Sequence, residues 1–277
     1  MEIVLLGTGS PLPDPDRAGP STLLKVSEAE HVLVDAGRGC LMRMAGAGSG
    51  AHLLAGVLIT HLHSDHLTDL NDVVTTRWIM SPAPAPLSIW GPAGIAEFVD
   101  HTMAALAPDI RYRIAHHDDL TWEPTVEVTE VEPGDRFGVG TSVVSVHQTK
   151  HAPAEPSVGF RFEHGHYVVA LAGDTVPCAG LDDLCADADA YVQTAIREDL
   201  VRAIPSSRMQ DIVHYHSSIA QAAETAARNR VGRLVLTHMV PAPRPGQYDD
   251  WISIAAEYFD GEIVIGNDLT TVDLVER

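Results

Sequence analysis

The apolar positions of this chain come in short runs separated by glycine, proline and charged residues, and their spacing alternates between strand and helix patterns. In the front half the runs predict strands at Ile3–Leu6, Thr22–Val26, His31–Val34, Gly56–Thr60 and Leu87–Trp90. Helical spacing predicts helices over Gly39–Ala45, Asp65–Arg77 and Ala93–Leu106. The middle is strand-rich: Val126–Val131, Ser142–His147, Ser157–Glu163 and His166–Ala172, the last two joined by a His-Gly turn. The back returns to a helix at Ser218–Arg230, a strand at Leu234–Thr237, a helix at Asp249–Phe259 and strands at Glu262–Ile265 and Thr270–Leu274. This order is mixed α/β, of the α+β kind. Two sheets packed face to face with helices outside would bury both faces of each sheet, as a four-layer αββα sandwich. No repeat, low-complexity tract or linker interrupts it, so residues 1–277 are expected to form one domain. Gly46–Gly50 reads as a loop, and Pro82, Pro84 and Pro86 as a stiff crossover too brief to separate domains.

Composition narrows the partners. The 277 residues, 45% of them hydrophobic, suffice for a large core. Lys and Arg number 18 against 38 Asp and Glu, a net charge of −20. Phosphate binding is carried by cations, and the densest cationic stretch, Arg228–Arg233, holds only three arginines. Nucleic acid is therefore not an expected partner. No apolar run approaches the roughly 20 residues that span a bilayer, and the N-terminus lacks the basic flank of a signal peptide. Cys40, Cys178 and Cys185 form no C-x-x-C pair, which fits a reducing cytoplasm.

The chemistry concentrates in Thr60-His61-Leu62-His63-Ser64-Asp65-His66, directly after an apolar strand. Alternate residues of an extended chain face the same way, so His61 and His63 can converge on one ion. A turn at Ser64–Asp65 swings Asp65 and His66 toward a second position. Imidazole with carboxylate suits zinc and related first-row metals. A lone histidine is usually structural, and His31, His52, His101, His116, His117, His164 and His166 read as surface or loop residues. Gly7-Thr8-Gly9 is not a dinucleotide fingerprint, because position 12 is Leu. It reads as a tight turn.

The H-x-H-x-D-H segment, with Gly7–Ser10, Asp35-Ala36-Gly37, His151, Ala172-Gly173-Asp174-Thr175 and Leu236-Thr237-His238, resembles the metallo-β-lactamase-fold hydrolases. Pro13–Pro20, Gly91-Pro92, Gly159–Phe162 and His214–Ser218 are similar to the branch holding ribonuclease Z and the zinc arylsulfatases. Asp16–Pro20 and the H-x-H-S-S segment lean toward the arylsulfatase-like members. The resemblance implies two Zn²⁺ per chain, with Mn²⁺ or Fe open as replacements. It assigns His61, His63 and His151 to one ion and Asp65, His66 and His238 to the other, with Asp174 bridging. Asp65 and His216 are the candidate catalytic side chains. His216 stands just before a capping box, Ser218 with Gln221, and the resemblance places it beside the metals as a proton or hydrogen-bond donor. Asp35 is expected to orient a ligand histidine.

Two departures shape the expected substrate. Ribonuclease Z enzymes carry a long arm between the third histidine motif and the bridging aspartate, whereas here 22 residues separate His151 from Asp174. They also carry a His-Glu pair where this chain has Gln193-Thr194. The leading expectation is a dinuclear zinc hydrolase that uses a metal-bridged hydroxide on a small ester-like substrate: a sulfate ester, a phosphodiester or a lactone. The alternatives are a ribonuclease Z-like 3′-tRNA-processing endonuclease, or a non-hydrolytic redox or cyclising enzyme on the same ligands. Expected pocket walls are Trp78 and Ile79, Arg197–Arg208 and Val240–Tyr248. Expected partners are a small-molecule substrate and no membrane, with a homodimer left open.

Overall fold

The computed structural model describes residues 1–274. Its first sheet holds β1 (Glu2–Gly7), β2 (Ser21–Ser27), β3 (Glu30–Val34), β4 (Leu54–Leu58), β5 (Leu87–Gly91), β6 (Val126–Glu130) and β14 (Thr270–Asp273), in the order β14-β1-β2-β3-β4-β5-β6. The second holds β7 (Arg136–Val139), β8 (Ser142–Gln148), β9 (Val158–His164), β10 (Tyr167–Leu171), β11 (Ala190–Ile196), β12 (Arg233–Val240) and β13 (Glu262–Ile265), in the order β13-β12-β11-β10-β9-β8-β7. Each sheet is antiparallel on one side and parallel on the other. In the first, β3 through β6 run parallel. In the second, β10 through β13 do.

Burial on both faces explains the unbroken apolar strands. Along β1, Ile3 and Leu5 face the core between the sheets, while Val4 and Leu6 face outward. The inter-sheet core sets Leu24, Val34 and Leu58 against Val146, Phe160 and Leu171. Outside the first sheet pack α1 (Cys40–Gly46), α2 (Leu70–Met80) and α3 (Ile95–His116). Outside the second pack α4 (Ala179–Cys185), α7 (Ile219–Arg228) and α8 (Tyr248–Ala256). The short α5 (Glu198–Arg202) and α6 (Ser207–Gln210) lie between β11 and α7. This is the four-layer sandwich expected of the metallo-β-lactamase fold. Among the described residues no helix is long and apolar enough to cross a membrane.

The structure moves several expected boundaries. α2 begins at Leu70 rather than Asp65, because Ser64–His66 forms a single tight 3₁₀ turn pinned by Ala36 N–H donating to the His66 carbonyl, 2.7 Å. α3 runs on to His116 through Pro108. β7, α4 and β11 were not among the expected elements. His31 is not a surface residue: it is buried, with Nδ1 2.6 Å from Ser49 Oγ. The capping box forms: Ser218 Oγ accepts from Gln221 N–H and Gln221 Oε1 accepts from Ser218 N–H.

Phe160 is fully buried between the sheets, so Phe160→Ala should destabilise the protein by about 3–5 kcal/mol. Met42, 80% exposed, should tolerate alanine within about 0.5 kcal/mol. Urea midpoints at unchanged slope would show this, and equal shifts for the two variants would place Phe160 outside the core.

Candidate active site

The site lies where the parallel strands of both sheets end, the position at which open α/β sheets leave a crevice. Asp35 follows β3, His61–His66 follow β4, His151 follows β8, Asp174 follows β10, and His238 sits in β12. Two of these residues hold strained left-handed backbone, Asp35 at φ 59° and His238 at φ 45°. At His238 the β11–β12 register shifts, a bulge that turns the imidazole into the site. The loops meet closely: a Cβ on Gly7 would lie 1.8 Å from the Gly19 carbonyl, and one on Gly37 would lie 2.5 Å from the Asp65 carbonyl.

All seven expected ligand residues converge. Ligand atoms of His61, His63, His151 and Asp174 lie within 4.8 Å of one another, as do those of Asp65, His66 and His238. Asp174 Oδ2 stands between the groups, 3.8 Å from His61, 3.7 Å from His151, 3.5 Å from His66 and 3.4 Å from His238. Its other oxygen is taken: Thr194 Oγ1–H donates to Oδ1 at 2.6 Å. His216 is also here, with Nε2 3.2 Å from Asp174 Oδ2 and Nδ1 3.1 Å from the Ile212 carbonyl. The carboxylate facing His216 is therefore Asp174. Thr194, in the place expected of a glutamate, fixes that carboxylate instead of pairing with the histidine.

Outer hydrogen bonds aim the rings. Asp35 Oδ2 lies 2.7 Å from His66 Nδ1, and its two oxygens accept from Thr60 N–H and Oγ1–H. Thr60 Oγ1 in turn faces His61 Nδ1 at 3.0 Å. The Tyr215 carbonyl accepts from His151 Nδ1 at 2.8 Å. In each case Nε2 is left facing the centre.

The donor set fits a metal. His63 Nδ1 lies 3.1 Å from His61 Nε2 and 3.2 Å from His151 Nε2. His66 Nε2, His238 Nε2 and Asp65 Oδ2 are buried without a hydrogen-bond partner. Such atoms are costly unless a cation satisfies them. Burial holds His61 well below the usual imidazole range and pulls His151 down to about 4, so both rings are neutral near pH 7. Burial would raise Asp174, but His238 and His66 outweigh it and keep the carboxyl ionised. Burial would lower His238, but Asp174 and Asp65 raise it to about 9. The second group thus calls for positive charge. His61 and His151 thus already hold the neutral state that metal binding requires, while His238 and His66, raised by their carboxylate neighbours against the effect of burial, would give up their protons to a bound cation.

A cavity of about 360 Å³ opens onto His63, Asp65, Asp174, His216 and His238. Its walls are Ser10–Leu12, Met209, Ile212, Tyr215 and Val240. Trp78 is not among them. It is buried away from the cavity, with Nε1–H donating to the Trp122 carbonyl. Ser10–Leu12 were missed as a wall because only folding brings that loop here. Asp268 holds the loop from the far end of the chain, accepting from Thr8 N–H at 2.9 Å and Ala18 N–H at 2.7 Å.

Such a centre, set at the strand ends of two back-to-back sheets, defines a hydrolase of the metallo-β-lactamase class. The family described as "Beta-lactamase superfamily domain" matches residues 30–239. A protein named Ribonuclease Z from Mycolicibacterium gilvum is 54% identical over 276 residues, covering 99% of this chain and 96% of its own. The chain belongs to this superfamily, in its ribonuclease Z branch. Among solved structures, the metallo-beta-lactamase fold protein YhfI from Bacillus subtilis matches with TM-score 0.75 at 20% identity, covering 98% of both chains. Human tRNase Z, short form, matches with TM-score 0.71 at 24% identity over all of both chains. These two share the fold. The ribonuclease relative overturns the expectation, drawn from net charge, that nucleic acid is not a partner, and it favours the ribonuclease alternative over a small ester substrate. A charge of −20 sums the whole surface and does not report the field at one pocket.

Thr194 is buried and nearly isosteric with valine. Thr194→Val should weaken zinc binding by about 10–100-fold, the usual cost of losing an outer partner, with the circular dichroism spectrum unchanged. Thr194→Ser should restore it. Chelator competition reads the affinity, and a valine variant that binds zinc as tightly as the parent would remove Thr194 from this role.

Proposed function

We propose that this chain is a dinuclear zinc phosphodiesterase acting on RNA, a ribonuclease Z-like 3′-tRNA-processing endonuclease. One observation carries the reading: a single carboxylate oxygen, Asp174 Oδ2, faces two histidine groups on the floor of a substrate-sized cavity. His61, His63, His151 and Asp174 would hold one ion, and Asp65, His66 and His238, with Asp174 shared, the other. When bound, two such ions supply charge that polarises a phosphoryl oxygen and acidifies water.

The chain's own groups divide the remaining work. Hydrolysis adds water across the phosphorus–oxygen bond, and the departing oxygen needs a proton. His216 is placed to give it: the Ile212 carbonyl fixes Nδ1, and Nε2 faces the cavity beside Asp174. Asp65, kept ionised by His238 and His66 against the effect of burial, orients the attacking side. Leu12, Met209, Ile212 and Val240 offer a flat group an apolar wall.

Zinc-reconstituted protein should cleave a precursor tRNA at the boundary between its 3′ end and the trailer, read by product mapping on a gel. His216→Ala should lower kcat by about 10²–10⁴-fold with zinc content intact. Turnover of aryl sulfates or lactones with no RNA cleavage would contradict the proposal. A His216→Ala loss that tracks missing zinc would make His216 a ligand.

A further inference from the structure

Behind the candidate ligands, at the end of the inter-sheet core, lies a second and much smaller cavity of about 30 Å³. Its lining sets the core residues Leu171 and Val192 beside four threonines: Thr22 of β2, Thr60 after β4, Thr194 of β11 and Thr237 of β12. Thr194 and Thr237 are register partners on neighbouring parallel strands. A hydroxyl in a core is costly unless it is bonded, and two of these are. Thr60 Oγ1–H donates to Asp35, and Thr194 Oγ1–H donates to Asp174 at 2.6 Å. Thr237 Oγ1 is buried and has no partner among the described residues.

His238 lines this cavity as well as the larger one. Its Nε2 faces the candidate metal centre, 3.4 Å from an oxygen of Asp65 and 3.4 Å from one of Asp174. Nδ1, at the other edge of the ring, is buried without a hydrogen-bond partner among the described residues. The other buried ligand rings differ. The outward nitrogens of His61, His66 and His151 face Thr60, Asp35 and the Tyr215 carbonyl. One ring therefore lacks a protein group that fixes its tautomer, and the adjacent residue carries a hydroxyl that lacks a bond. A group joining the two must both accept and donate. The cavity exceeds the roughly 10–15 Å³ that one water requires. A cation does not suit it, because Asp35, the carboxylate in its lining, is already taken on both oxygens by Thr60 and His66.

We propose that this cavity is the site of one buried water, which accepts from His238 Nδ1–H and donates to Thr237 Oγ1, with Thr22 on the facing sheet as a third partner. Thr237 is thereby a positioning residue. It acts on His238 through the water, as Thr60 acts on His66 through Asp35. A proton held on Nδ1 leaves Nε2 to bind the metal. This rests on the reading of His238 as a metal ligand.

The test uses zinc-reconstituted protein. A high-resolution crystal structure should show one water peak within hydrogen-bond distance of both His238 Nδ1 and Thr237 Oγ1. Thr237→Val keeps the shape of the side chain and removes the hydroxyl. It should weaken zinc binding by about tenfold, the low end of the usual cost of an outer partner, because the water keeps its bond to Nδ1. Thr237→Ser should restore the parent affinity. Thr225→Val removes a buried hydroxyl that donates to the Gln221 carbonyl in α7, and it should match the parent. Chelator competition reads all four affinities. No peak in the cavity, a peak bonded to Thr237 but not to His238, or a Thr237→Val protein that binds zinc like the parent would overturn the proposal. Should the valine variant fail to fold, the peak in the parent decides. Zinc is scored separately in the same crystals: the water peak without zinc overturns the metal reading alone, while zinc without the water peak overturns the water site alone.

Discussion

The structure turns on one oxygen atom. Asp174 Oδ2 lies within 4 Å of five imidazoles, while Thr194 holds Oδ1. A buried carboxylate in that position is stable only with positive charge around it. In the protein alone, the elevated proton affinities of His66 and His238 meet that need. Two cations would meet it better, because the other nitrogens already face inward.

The scaffold exists to hold those groups still. The candidate ligands at the ends of β4 and β10 and in β12 come from the parallel halves of both sheets, so the inter-sheet core sets the distance between the two histidine groups. Left-handed backbone at Asp35 and His238 costs on the order of 1–3 kcal/mol each and persists only where packing over-determines it. Leu58 and Leu171, buried just before His61 and Asp174, and Phe160 with them in the inter-sheet core make this region densely packed. The substrate side is less rigid in origin: its wall is assembled from the 8–20 loop, α6 and the segment after His238, three pieces distant in sequence.

What could be read in advance was local. The H-x-H-x-D-H segment is a contiguous pattern, and the strands announce themselves by unbroken apolar runs. β11 escaped because Gln193 and Thr194 interrupt its apolar character, and their reason for being there is tertiary: Gln193 accepts from the Tyr191 hydroxyl and Thr194 donates to Asp174. Trp78 was expected in the pocket and is in the wall of the outer layer, while Leu12 was not expected and is in it. No periodicity encodes which loop folds over which strand end. The charge argument failed for the same reason, since −20 says nothing of how charge is distributed over the surface.

In the proposed dinuclear centre, one carboxylate oxygen serves both metal positions. Anomalous diffraction at the zinc edge from crystals of the reconstituted protein tests it most directly. Two peaks about 3.5–4 Å apart are expected, one on the His61, His63, His151 side of Asp174 Oδ2 and one on the Asp65, His66, His238 side. A single peak, or zinc bound away from Asp174, would contradict it.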